Sequence, residues 1–221
     1  MVAAHVSYVA RAYLRMTDEA LTRGRSATYP GGAAEREQSL HGFDGVPLER
    51  MCRSFRESAE ALLARWRSLD RAAWPARFTE QKLGEIGVAR LVALRLTELE
   101  VHRGDLTASG GPRQWSAGFV SACLPLRVAW LPRHHRAHQD ASRAVTGRWL
   151  LTSDDGSWLV TADGPDARCT VAAAGTVADA TIAGAPRDLL AFLLGRPPSA
   201  PLTVTGDRSL ASRFKEAFPG P

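Results

Sequence analysis

The 221-residue chain is poor in lysine and has no C-x-x-C pair and no apolar run approaching the roughly 18 residues needed to cross a membrane. The N-terminal stretch MVAAHVSYVARAYLRM carries a His and two Arg where a secretory apolar core would lie. Together these absences predict a cytoplasmic protein without a membrane partner. Cys52, Cys123 and Cys169 are odd in number and far apart, which argues against a disulfide framework and a thiolate zinc site and leaves three free thiols. Neither G-x-x-x-x-G-K nor G-x-G-x-x-G occurs, so no phosphate-cradling loop is present, and no G-x-S-x-G elbow offers a serine nucleophile. If the chain is an enzyme, its nucleophile comes from outside or from metal-bound water.

The charge that is present is almost all arginine. A net +5 is scattered among acids, with no basic run and no interleaved aromatics, so nucleic acid is not the partner. Small anionic ligands suit such a balance better than a phosphate track. The arginine- and alanine-rich composition also resembles a product of a GC-rich genome. Apolar content of 45% and charged content of 23% are those of a globular protein long enough to bury a sizeable core.

Periodicity divides the chain. Residues 2 to about 22 read as a helix, apolar at Val6, Val9, Ala10 and Leu14. Pro30, Gly31 and Gly32 then mark a loop. A second helix starts at Leu48 and is apolar through Trp66, and a third runs from about Leu83 to His102 and stops near Gly104. A shorter fourth passes from SAGFVSACLPL into a Pro/His-rich connector. After about residue 145 the pattern alternates: GRWLLTS, SWLVTA, RCTVAA and DATIAG are strands, PRDLLAFLLG a helix ended by Gly195, PLTVTG a strand and RSLASRFKEAF a last helix. The fold class is thus α+β with two domains, a helical bundle over 1–142 and a small α/β domain over 146–221.

Within ELEVHRGDL, Glu98 and His102 lie four apart, about 6 Å along a helix and on one face, so both can reach one ion. A solvated helix face shows the same spacing, and a catalytic zinc needs about three protein ligands. His5, on a helix of otherwise small and apolar residues, is the best third ligand, or else a hydrogen-bonded interior histidine. The rival cluster, His134 and His138 in HHRAH, is flanked by Arg133 and Arg136 and reads as a solvated connector.

The stretch VAAHVSYVARAYLRMTDEALTRGRSATYPGGAAERE resembles the segment of mycothiol-dependent maleylpyruvate isomerases in which a metal-binding His precedes an alanine-rich helix and a PMY…R stretch. LRLTELEVHRGDL is similar to that family's R-W-R-E-V-E-V-H-H-V-D-L helix, with Arg95, Glu98, Glu100, Val101, His102, Asp105 and Leu106 matching. APRDLLAFLLGRPP…LTVTGD looks like its C-terminal L-L-x-W-L-x-G-R signature.

The resemblance implies a DinB-like four-helix bundle followed by a sterol-carrier-like α/β domain. It places Zn2+ on His5, Glu98 and His102 with an open position for mycothiol, an actinobacterial thiol. The implied reaction is cis-trans isomerisation of a maleylpyruvate-like diacid by reversible thiolate addition. The alternatives are mycothiol S-transfer onto an electrophile or natural-product intermediate, and a non-catalytic binding protein. The family's essential C-terminal Arg matches Arg196 best; Arg208 comes second and is assigned to cofactor binding. Arg95 either meets a substrate carboxylate or forms a salt bridge to Glu98 or Glu100. His5 almost begins the chain, whereas the family has a full helix before its metal His. Either translation starts upstream of Met1, or a homodimer or rearranged bundle covers the exposed seam. Leu96, Thr97, Arg103 and Gly104 depart from the family beside the site, which bears on the substrate more than on the metal.

Overall fold

The computed structural model describes residues 2–81, 84–106, 111–137 and 145–219, grouped in two compact units that divide after Leu106. The helical first unit and sheet-containing second unit give the α+β class expected from periodicity.

In the first unit, α1 (Val2–Arg23) runs for 22 residues without proline and buries Val6, Val9, Tyr13, Met16 and Ala20, the i, i+3, i+4 rhythm of one helical face. Alanines 4, 10, 12 and 20 on the buried side let neighbouring helices come close. Against α1 pack α3 (Leu48–Arg67) and α4 (Val88–Asp105). Trp66 of α3 donates its indole N–H to Thr17 Oγ1 of α1 at 3.0 Å, satisfying a buried donor. A short α2 (Gly32–His41) follows β1 (Arg25–Ser26), which pairs in parallel with β2 (Arg77–Glu80).

The sequence expectation of a loop after Arg23 missed α2, and the third helix was placed too early. The chain instead forms an antiparallel β2–β3 hairpin, with β3 at Gly84–Gly87, before α4 begins at Val88. Phe78 and Ile86 oppose each other across it and are buried, and Gly84 takes φ +70°, a conformation that costs glycine little. The helix end near Gly104 is close to the observed end at Asp105.

The second unit holds a five-stranded sheet of order β6-β5-β4-β7-β8, with β4 (Gly147–Ser153), β5 (Gly156–Asp163), β6 (Asp166–Val171), β7 (Ala180–Ala183) and β8 (Thr203–Gly206). The β4–β7 pair is parallel and the others antiparallel. Trp149 of central β4 is fully buried and meets Phe214 and Phe218 edge-on at 5.8 and 5.7 Å. Helix α6 (Pro186–Leu193) ends at Gly195, φ +69°, the stop expected from the sequence, and the Arg196 N–H returns to the Ala191 carbonyl at 2.9 Å in a Schellman closure. The last helix breaks at Arg213 into α7 (Arg208–Ser212), capped by Asp207, and α8 (Phe214–Ala217).

Helix α5 (Ala117–Ala137) is longer than its prolines suggest and belongs to this unit, where it packs on β6 and α6. Cys123, Leu124, Val128 and Leu131 form its buried stripe, while Pro125, seven residues before Pro132, is exposed. Lost backbone hydrogen bonds on an outward face are met by water, so packing carries the helix through both prolines. The compact units therefore divide earlier than the 142–146 change of period, which marks where strands begin rather than where packing partners change. Among the described helices none is long and apolar enough to cross a membrane.

Candidate metal centre

Because α1 and α4 pack together, three side chains from two helices meet. His5 Nε2 lies 3.0 Å from Glu98 Oε2, and His102 Nε2 lies 3.3 Å from the same oxygen. The two imidazoles meet edge-on with centroids 5.0 Å apart. All three ligand atoms fall within 4.8 Å of one another. A tetrahedral ion with bonds of about 2.1 Å has edges of about 3.4 Å, so the two short separations match adjacent ligand positions of zinc. Each side chain is 17–26% exposed, leaving the centre reachable from solvent.

The outer nitrogens support the same arrangement. His102 Nδ1 donates to Asp105 Oδ2 at 2.7 Å, and His5 Nδ1 faces the Tyr29 hydroxyl at 3.5 Å. An N–H held at Nδ1 leaves the Nε2 lone pair free for an ion, and a carboxylate behind a ligating histidine raises its basicity. Tyr29 is fixed in turn by stacking on Tyr8, centroids 5.1 Å apart and planes within 5°. The Tyr8 hydroxyl donates to Glu35 at 2.5 Å, and Glu35 also accepts from the Gly31 N–H. The ATYPGG turn, expected only to be a loop, thus carries an outer contact of the centre.

Burial by itself would raise the Glu98 pKa, but hydrogen bonds from His102 and His5 outweigh it and hold the carboxyl at about 2. Glu98 is therefore an anion at any physiological pH, as a metal ligand requires. The same hydrogen bond raises His102 above its ordinary value, opposed by burial. Burial followed by the Glu98 charge pushes the Tyr13 and Tyr29 phenols upward, keeping both neutral hydrogen-bonding groups.

Arg95, one turn before Glu98, is 5% exposed and donates through Nη1 to the Val6 carbonyl at 2.8 Å. Its Nη2 is buried without a hydrogen-bond partner. Of the two acids anticipated as its salt-bridge partner, Glu98 meets His5 and His102, and Glu100 pairs with Arg103 at 3.1 Å. Arg196 follows Gly195 after α6, and exposed Arg208 opens α7; both belong to the second unit. The HHRAH cluster is not the solvated connector expected. His135 is 3% exposed, with its ring nitrogens 2.7 Å from the Ala217 carbonyl and 2.9 Å from that of Gly164, while His134 accepts from Arg127. His138 lies outside the described residues.

Residues 1–107 match the family model for the mycothiol maleylpyruvate isomerase N-terminal domain. The first unit belongs to that family. Among its described residues the metal-capable cluster is the triad implied by the resemblance: His5, Glu98 and His102. No curated protein matches the chain in sequence. Among solved structures, a mycothiol-dependent maleylpyruvate isomerase is 18% identical, with a TM-score of 0.65 over 92% of this chain and 76% of its own. A histidine-to-alanine mutant of the mycothiol-dependent maleylpyruvate isomerase aligns over the same shares at 17% identity and 0.64. At this identity the likeness establishes a shared fold.

Asp105, Tyr29 and Tyr13 were not assigned to the site from sequence. Asp105 had a signal, an acid three residues after His102 on a helix. Tyr29 and Tyr13 had none, because one reaches His5 from a loop and the other reads as an ordinary core position.

Proposed function

We propose that this chain is a zinc-dependent, mycothiol-using enzyme that isomerises a maleylpyruvate-like cis diacid by reversible thiolate addition. The observation that carries the reading is the convergence of His5, Glu98 and His102 in a domain of the mycothiol maleylpyruvate isomerase family. Two imidazoles and one carboxylate suit a catalytic zinc that keeps a position open. A divalent cation bound there supplies a lowered pKa to a thiol that reaches it.

The chain's own residues do the rest. Asp105 holds the His102 proton at Nδ1, and Tyr29 faces the corresponding nitrogen of His5, so both rings keep Nε2 turned toward Glu98. Arg95 offers a fixed guanidinium with one unpartnered nitrogen, suited to a substrate carboxylate. Arg196 is proposed for a second anionic contact and Arg208 for the cofactor. When bound, mycothiol would supply a thiolate for reversible addition to the activated double bond, so that rotation and elimination would give the trans alkene and return the thiol. A cytoplasmic location, where a low-molecular-weight thiol is kept reduced, accompanies this chemistry.

Purified protein incubated with mycothiol and maleylpyruvate should consume the cis diacid, and His5→Ala should lose both this activity and near-stoichiometric zinc. Zinc without isomerisation, but with a mycothiol conjugate of a generic electrophile, would move the assignment to S-transfer. The departures at Leu96, Thr97, Arg103 and Gly104 bear on the substrate more than on the metal, which keeps S-transfer as the second reading. Absence of zinc in chelator-free protein overturns both.

A further inference from the structure

The segment from Ala27 to Gly31, between β1 and α2, is pinned at both ends. At its start, Arg15 of α1 donates through Nη2 to the Ala27 and Thr28 carbonyls, both at 3.1 Å, and the buried Glu80 of β2 accepts from the Thr28 N–H at 3.1 Å. At its far end a single carboxylate makes two ties. Glu35, in the first turn of α2, accepts the Tyr8 hydroxyl on Oε1 at 2.5 Å and the Gly31 N–H on Oε2 at 2.6 Å. Those bonds, the phenol's first and the amide's second, hold the Glu35 carboxyl below its ordinary pKa, so both oxygens stay acceptors.

Gly31 makes room for that approach. Its φ of −82° is open to any residue, yet a Cβ there would meet Glu35 Cβ at 3.1 Å and Oε2 at 3.2 Å. Glycine is needed at this position for space rather than for conformation. Between the two pinned ends stands Tyr29. Its ring lies flat on Tyr8, and its hydroxyl faces His5 Nδ1 at 3.5 Å, the long end of hydrogen bonding. A contact that long does not locate a side chain, so the ring has to be held from behind. Tyr8 follows His5 by three residues on α1, one turn along the same face, and whatever fixes its ring fixes the stack that presents Tyr29 to His5.

We propose that Glu35 is a positioning residue of the metal centre, setting the orientation of the His5 ring through the Tyr8–Tyr29 stack. His102 is backed by a carboxylate directly, at Asp105; His5 is backed by one relayed through two phenols. The inference rests on the reading of His5 as a metal ligand.

The test is a double-mutant cycle on zinc affinity, measured in the full-length protein by competition with a chromophoric chelator. Tyr29→Phe keeps the stacked ring and removes the hydroxyl, whereas Glu35→Ala removes both ties. Each should weaken zinc about 3- to 30-fold, as loss of support behind a ligating histidine does. Combined, they should cost no more than the larger single effect, because both break the same chain of contacts. Glu35→Gln, whose amide oxygen can serve one tie but not both, should lie between the parent and Glu35→Ala. Disruption of the loop in general, or the Glu35 charge acting through space, would instead persist in the Tyr29→Phe background. Parent-like affinity in Glu35→Ala, or effects that multiply in the double variant, would overturn the inference and leave the metal centre standing, since His5→Ala would still abolish binding. A parent protein that binds no zinc would overturn the metal reading itself, and this inference with it.

Discussion

Replacing Lys215 by methionine should stabilise the protein at neutral pH, an unusual result for removal of a charge from a folded chain. Lys215 titrates at about 8 rather than at the ordinary 10.5, because burial penalises the ammonium and Arg127 repels it. That gap corresponds to roughly 3 kcal/mol at 1.36 kcal/mol per pH unit. The folded value is depressed, so the unfolded state binds more protons between pH 8 and 10.5, and stability rises with pH across that window. Below pH 8 the penalty is present in full. Methionine keeps an unbranched stem over Phe192 without the charge. Lys215→Met should therefore be more stable than the parent by about 1–3 kcal/mol at pH 7, with the advantage vanishing by pH 10.5. Cys169, pushed up to about 11 by burial, titrates in the same range and costs stability as pH rises from its ordinary 9.0. It acts on both proteins, so the difference between their urea midpoints, with unchanged m-values, isolates the lysine. A less stable variant at pH 7, with a gap that does not change with pH, would refute the reasoning.

Asp105→Ala should weaken zinc binding about 10- to 100-fold by freeing the His102 ring, without loss of helix content, as measured by competition with a chromophoric chelator. Arg95→Met should lower kcat/KM for the diacid by about 10- to 100-fold while zinc stoichiometry holds, since it removes a charged contact but no metal ligand. His135→Ala should lower stability by about 2–4 kcal/mol in thermal or urea unfolding, because it removes the imidazole set between the Ala217 and Gly164 carbonyls, with the N–H that one of them accepts, and opens a void beside Phe218.

How much was legible in the sequence follows from how local each signal is. The α1 stripe and the alternation in GRWLLTS and SWLVTA are periodic over many residues, and both elements formed where periodicity put them. The Glu98/His102 spacing is a property of one helix, so it too was readable. What joined it to His5 was the packing of α1 on α4, 93 residues apart, which no local pattern records. The β2–β3 hairpin was hidden because the described residues of RFTEQKLGEIG include only two buried apolar side chains, Phe78 and Ile86, too few to establish a period of two. In α5 the prolines misled. Their cost is fixed locally, but what offsets it, burial of Leu124, Val128 and Leu131, is tertiary. Likewise, the charge around His134 and His135 suggested a wet connector, whereas His135 is enclosed by carbonyls from the β5–β6 turn and α8.

The 93-residue separation of His5 and Glu98 has a thermodynamic side. An ion gripped by both would fasten distant points of the chain, and in an unfolded chain closing so long a loop would cost on the order of 4 kcal/mol of chain entropy. The folded protein has already met that cost through the packing of α1 on α4, so the ion finds its ligands assembled and its affinity depends on the fold. On the proposed reading the converse follows by linkage: metal availability would set how tightly the first helix stays docked, and zinc starvation would reach the architecture of the unit as well as its chemistry.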